Sequence, residues 1–326
     1  MIKKIFLSIN DTYFIRKDIS SKKLNDCISF ISRQGDIKKD FIKKFYKNKL
    51  EKKVILPKIY RGDVDIIIKT KIDKNYKYID IVKQKIFYKQ INLNDISLRK
   101  INKYQLNNIK FFPKTFISNS YIYQNLAKGS LKIPDKISNI DKNLLSNISL
   151  VINCLSKNKQ KSEVVSEYLY KFRNSKIKDN LNLNIINNYL SLLKNYKNEK
   201  IKTSLTHGDL KFDHLFILNK KLEYVIDWEN IKVRSIYFDI FNLFIPWFSK
   251  RSHNYLKIKK YIKTFINKYL PQLNQHIENN YDLYFCVYAL ERYERIGESY
   301  SNKSDIDTAY KRFNSLFYKL VNEIKF

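Results

Sequence analysis

Residues 206–214 read "THGDLKFDH", so two imidazoles, two carboxylates and a lysine fall on one short stretch. An apolar run, "LFIL", follows, then the polar turn Asn219-Lys220-Lys221, then "LEYVIDWEN". Two short apolar runs about a polar turn spell a β-hairpin. A turn centred near Lys220 sets His214 opposite Asp227, with Cβ atoms about 5 Å apart, and Asp209 stands just before the first strand. A divalent ion fits between His214 and Asp227. Asp209 is left to accept a proton from a substrate hydroxyl. One aspartate for the nucleophile, followed by a metal-binding pair, is the layout of a phosphoryl-transfer site.

The elements that must carry this loop follow from hydrophobic periodicity. The chain has 326 residues, long enough for two lobes. Its first 50 residues predict a hairpin, "KKIFLSIN-DT-YFIRKDI", and then basic helical segments. The β-branched and aromatic runs between Val54 and Ile91 break at Arg61-Gly62-Asp63 and Asp73-Lys74-Asn75, which predicts three antiparallel strands. "LNDISLRKINKYQLNNI" has helical spacing, and "FFPKTFISNSYIYQNLAKGSL" reads as two more strands ending near Gly129. From about 137 onward helices dominate, as in "SEVVSEYLYKFRN" and "IINNYLSLLKNY". Strands first and helices after is an α+β arrangement.

"HGDLK", a potential ligand five residues after Asp209, a hairpin and "IDWE" together resemble the aminoglycoside phosphotransferase and choline kinase-like family. The resemblance implies a bilobal protein-kinase-like fold, with an antiparallel-sheet N-lobe and a mainly helical C-lobe. It also implies ATP-dependent phosphorylation of small-molecule hydroxyls, with ATP and Mg²⁺ as cofactors. Carried over by position, Asp209 resembles the catalytic base and Asp227 the metal-binding aspartate of the D-F-G motif. Lys211 stands where protein kinases carry the phosphate-contacting lysine of "HRDLK". His207 and Gly208 shape the loop, and Asp239 in "YFDIFNLF" resembles the aspartate that supports it. His214 replaces the usual asparagine. That histidine form, H-x-D-x-x-x-x-H, is similar to the loop of lipopolysaccharide core sugar kinases.

In the N-lobe the same resemblance requires a lysine on the third strand to hold ATP phosphates. "YIDIVKQK" offers Lys83, and Lys17 in "YFIRKDI" is its rival. Gly62 is what remains of the glycine-rich loop, and Gln124, in "YIYQNLAKG", falls at the expected hinge. The lysine's usual glutamate partner is missing: no Glu occurs between Glu51 and Glu163, and Asp95 is the nearest acidic substitute. The implied division is a basic extension over 1–50 packed on the N-lobe, an N-lobe over 51–126 and a C-lobe over 127–326. "ALERYERIGE", with Glu291 and Arg292, lies on a helix of the acceptor region, although its spacing alone favours a solvated charged face.

Lys and Arg number 63 against 31 Asp and Glu, a net charge of +32. A polyanionic partner would explain this excess, and so would a coding sequence rich in A and T, because Lys, Ile and Asn dominate throughout. Such a charge disfavours polycationic aminoglycosides and, less strongly, choline as acceptors. It favours acidic or phosphorylated sugars of a cell-surface glycan or glycolipid, and peripheral contact with an anionic membrane. Nucleic acid is the weaker partner, since no aromatic stacking motif accompanies the charge. The alternative function is a catalytically silent basic module on a kinase-like fold. Three separated cysteines, Cys27, Cys154 and Cys286, point to reduced thiols in the cytoplasm, and no apolar run is long enough for a transmembrane helix.

Overall fold

The computed structural model describes residues 3–9, 12–33, 39, 42–43, 51–55, 64–69, 76–89, 96–118, 121–127, 130–131, 142–174, 183–249, 254–299 and 303–324. In chain order the first elements are β1 (Lys3–Ser8), β2 (Tyr13–Arg16), α1 (Ser21–Arg33), β3 (Glu51–Ile55), β4 (Ile66–Lys69), β5 (Tyr76–Asp80) and β6 (Lys85–Lys89). Next come α2 (Ile96–Lys103), β7 (Thr115–Ser118), β8 (Tyr121–Asn125), β9 (Ser130–Leu131), α3 (Lys142–Ser156), β10 (Lys161–Val164), α4 (Val165–Asn174) and α5 (Leu183–Lys194). The remainder is β11 (Lys200–Thr206), β12 (Leu215–Leu218), β13 (Lys221–Val225), β14 (Lys232–Ser235), α6 (Phe238–Ser249), α7 (Tyr255–Tyr269), α8 (Pro271–Ser299) and α9 (Lys303–Asn322). Two compact units result. One comprises Met1–Ile133 with Asp213–Ile226, the other Pro134–Phe212 with Asp227–Phe326.

The first unit is built on an antiparallel sheet of order β3-β1-β2-β4-β5-β6-β8-β7. Alternation along its strands sorts the side chains onto two faces. Ile15, Ile66 and Ile79 pack with Cys27, Phe30 and Ile31 of α1. Their neighbours Phe14, Ile67, Tyr78, Phe87 and Tyr123 form a second cluster on the other face. Phe87 stacks on Tyr78 at 5.1 Å and on Tyr123 at 5.6 Å between ring centroids; such pairs contribute roughly 0.5–1.5 kcal/mol beyond burial. Among the described residues of the first 50, β1 and β2 are strands of this sheet. Their apolar alternation lets β1 and β2 join the sheet itself, β2 pairing with β4 from Tyr13↔Ile68 to Ile15↔Ile66.

The second unit is mainly helical and is organised by α8, which is kinked at Asn280. Residues 283–290 of this helix are all at most 1% exposed. A helix apolar on every side has to be surrounded; Tyr284 packs on Tyr237, and Phe285 on Phe241 and Phe317. A small sheet of order β10-β11-β14 lies in this unit, and β11 runs directly into the THGD loop. All three cysteines are free. No helix among the described residues is long and apolar enough to cross a membrane.

Candidate active site

The loop after β11 is set by its backbone. Gly208 has φ +81°, and a Cβ there would come within 2.1 Å of Asn230 O and 2.6 Å of Arg234 Nη1. Only glycine accepts both the left-handed conformation and the close approach. The carboxylate of Asp239, in the first turn of α6, accepts the N–H of His207 at 2.7 Å and that of Gly208 at 2.9 Å. Burial pushes the Asp239 carboxyl up to about 6, against the two backbone N–H groups and Arg234, which favour its charge. His207 is fully buried against Trp228 at 4.6 Å, and its Nδ1 accepts the Asp209 N–H at 3.3 Å. Asn242 of α6 donates to Leu210 O at 3.1 Å. The loop's backbone is thus tied to one helix at three points, His207 N, Gly208 N and Leu210 O.

The hairpin that follows departs from the expected register. Its turn is two residues long, with Asn219 at φ 50° and Lys220 at φ 63°, the positive pair typical of tight hairpin turns. A bulge between Phe216 and Ile217 then shifts the pairing to Phe216↔Tyr224 and Leu215↔Val225. His214 consequently faces Ile226, whose N–H donates to His214 O at 3.0 Å. Asp227 comes one residue later and is exposed, in a left-handed conformation (φ 67°, ψ 51°). The chain reversal still brings the three candidate ligands together. Ligand atoms of Asp209, His214 and Asp227 all lie within 4.8 Å of one another.

Asp209 is 4% exposed. Its Oδ2 accepts Lys211 Nζ at 2.7 Å, and its Oδ1 lies 2.8 Å from Arg295 Nη2 and 3.7 Å from Arg292 Nη1. Both arginines belong to α8. Arg292 also donates to Asn242 Oδ1 at 2.6 Å. "ALERYERIGE" is accordingly not a solvated face. Glu291 is buried, accepting from Ser235 N and Oγ at 2.6 Å each and from the Tyr168 hydroxyl. Burial raises its carboxyl pKa. The motif singles out Glu291 and Arg292 and not Arg295. The i, i+3 spacing of Arg292 and Arg295 was the available signal.

The residues expected in the sheet unit are placed differently. Lys83 is exposed in the turn between β5 and β6, where its N–H donates to Asp80 Oδ1 at 2.8 Å. Lys17 is exposed in the bend after β2. β6 is the third strand of the run β4-β5-β6, which β8 and β7 continue. The lysines on it are Lys85 and Lys89, because a tight turn over 81–84 ends β5 and holds Lys83 off the strand. Lys85 donates to Asn125 Oδ1 and lies 5.8 Å from the Phe116 ring centroid; Lys89 pairs through its backbone with Tyr121. Gln124 lies on β8 and donates to Thr115 Oγ1 at 3.1 Å. Gly62 and Asp95 fall outside the described residues.

Comparison with known proteins bears on the fold. Residues 167–261 match the model of the phosphotransferase enzyme family, and no curated protein matches. Among solved structures, amicoumacin kinase hAmiN, in complex with AMP-PNP, Ca²⁺ and Ami, superposes with TM-score 0.52 at 11% identity, covering 91% of this chain and 98% of that one. Choline kinase LicA from Streptococcus pneumoniae gives 0.51 at 15% identity, covering 77% and 93%. A thermostable mutant of aminoglycoside phosphotransferase APH(4)-Ia, in its apo form, gives 0.50 at 12% identity, covering 79% and 94%. The chain therefore has the protein-kinase-like α+β fold of aminoglycoside phosphotransferases and choline kinase, with the phosphotransferase family's sequence pattern over the segment that carries the THGD loop and the hairpin.

Proposed function

We propose that this protein is an ATP- and Mg²⁺-dependent kinase for a hydroxyl of a small molecule or glycan, with a sugar of a cell-surface glycan or glycolipid as the favoured acceptor. The observation that carries the reading is the convergence of Asp209, His214 and Asp227 within 4.8 Å. A buried carboxylate beside an imidazole and an exposed carboxylate offers oxygen and nitrogen donors that fit a divalent ion. His214 and Asp227 would hold it. When bound, the ion offsets phosphate charge. Asp209 accepts the acceptor's hydroxyl proton as its oxygen bonds to the γ-phosphorus; the bond from that phosphorus to the β–γ bridging oxygen breaks, and ADP leaves with the electron pair. Lys211 is available to the transferred phosphoryl group. His207, Gly208 and Asp239 keep the loop in register. The histidine form of the loop and the +32 charge support the acidic glycan.

Asp209→Asn tests the base. The amide keeps the shape but cannot take the proton, so turnover on a panel of sugar acceptors should fall about 10²–10⁴-fold while ATP affinity stays within about twofold. Unchanged turnover removes Asp209 from the mechanism. Mass spectrometry of surface glycans from cells with and without the protein would name the acceptor. The net charge also supports a second reading, a silent basic module. Salt-sensitive binding to DNA with no nucleotide binding would favour it.

A further inference from the structure

Both oxygens of the buried Asp209 carboxylate face cations: Lys211 Nζ lies 2.7 Å from Oδ2 and Arg295 Nη2 2.8 Å from Oδ1, with Arg292 Nη1 3.7 Å away. A hydroxyl that gives its proton to this carboxylate must compete with these cations for its lone pairs. Arg295 is the candidate to yield. Its approach is close but poorly aligned: among the described residues neither Asp209 Oδ1 nor Arg295 Nε, both fully buried atoms, has a hydrogen bond of proper geometry. Arg295 is itself only 8% exposed, and a buried ion pair without good hydrogen-bond geometry poorly offsets its desolvation. The acidic residues of its own helix do not neutralise it. Glu291 is turned to Ser235 and Tyr168, and Glu294 and Glu298 pair with Lys232.

We propose, on the kinase reading above, that Arg292 and Arg295 form an anion subsite. The acceptor then carries a carboxylate or phosphomonoester beside the hydroxyl to be phosphorylated. The arginines' forked donors suit either group. The incoming anion replaces Asp209 as the partner of Arg295, so Oδ1 is released to accept the hydroxyl proton. A neutral acceptor offers no such exchange. A cationic one would add positive charge to a group of three cations around one carboxylate.

The test uses the whole chain and four small probes at matched ionic strength: methyl glucuronide, glucose 1-phosphate, neutral methyl glucoside and cationic methyl glucosaminide. Binding is read by thermal shift and calorimetry in the presence of ATP analogue and Mg²⁺. Saturable binding of one or both anionic probes, at least tenfold tighter than the neutral and cationic ones, is expected, and the two anionic arms tell carboxylate from phosphomonoester. Arg295→Lys keeps a positive charge without the fork and should weaken the preferred anion about tenfold. Arg292→Gln should weaken it by a similar factor, and Lys311→Gln, on exposed α9 surface, should leave it unchanged. Equal binding of all four probes overturns the subsite, as does anion binding that survives both arginine changes or is absent from the wild type. The kinase reading is checked separately in the same samples. Nucleotide binding that does not require Mg²⁺ removes that reading, whereas Mg²⁺-dependent binding without anion preference removes only the subsite.

Discussion

Asp227 joins two demands in one residue, since it is an exposed carboxylate in the ligand cluster and a non-glycine residue at φ 67°. Asn tolerates the left-handed region nearly as well as Asp, whereas Ala does so at about 1–2 kcal/mol. Asp227→Asn loses the charge but not the oxygen, and should therefore weaken Mg²⁺-dependent ATP affinity with an unshifted melting temperature; Asp227→Ala should weaken the affinity further and lower the melting temperature. Calorimetry with and without Mg²⁺ separates them; equal ATP affinity in all conditions and variants would end the metal assignment. His214 supplies a contrasting pair. Asn offers an oxygen that suits Mg²⁺, so His214→Asn should keep Mg²⁺-dependent affinity within a few-fold. His214→Ala should weaken it more than tenfold, and an alanine variant equal to wild type would leave His214 a structural role only.

The connection from α6 to the THGD loop rests on the Asp239 carboxylate. Burial raises the Asp239 carboxyl to about 6, well above its unfolded value near 4. The folded state thus binds this proton more tightly than the unfolded one, and the associated stability, complete below about pH 4, is lost as pH rises through about 6. Asp239→Asn removes that dependence, so the difference in melting temperature between wild type and variant should change between pH 4 and 6 and stay flat above 7. Activity moves the opposite way. The charged carboxylate holds both loop N–H groups, so turnover in the wild type should fall as pH drops through about 6. Asp239→Ala would leave two buried N–H groups unsatisfied, at about 1–3 kcal/mol each. A wild type and an Asn variant with parallel pH profiles would show that Asp239 does not set this limb.

For the whole molecule the dominant quantity is the +32 net charge. Ion pairs such as Lys259–Asp282 at 2.9 Å and Lys263–Glu278 at 3.1 Å are partly exposed and contribute little each. Self-repulsion among the remaining cations opposes compaction. Added salt shortens the Debye length from ~30 Å at 0.01 M to ~8 Å at 0.15 M, so the melting temperature should rise over this range with sodium chloride. A falling melting temperature would mean that local ion pairs outweigh the net repulsion. The same salt should weaken adsorption to polyanions.

The short-range features were legible from the sequence because each depends on neighbours along the chain. Alternation marked the strands, Asn219-Lys220 marked the hairpin turn, and one histidine and two aspartates at set spacings marked the cluster. The α+β class followed from the order of those patterns. The strand lysine was misplaced because a tight turn after Asp80 and a strand end look alike in a run of apolar and basic residues; only ladder pairing distinguishes Lys83 from Lys85 and Lys89. The hairpin register moved by one because a bulge shows no compositional sign. Arg295 acquired its meaning only from tertiary structure. It lies far along the chain from Asp209, and in a protein with 63 basic residues its type carries little information. The packing of α8 over its buried stretch, residues 283–290, brought this guanidinium to the carboxylate.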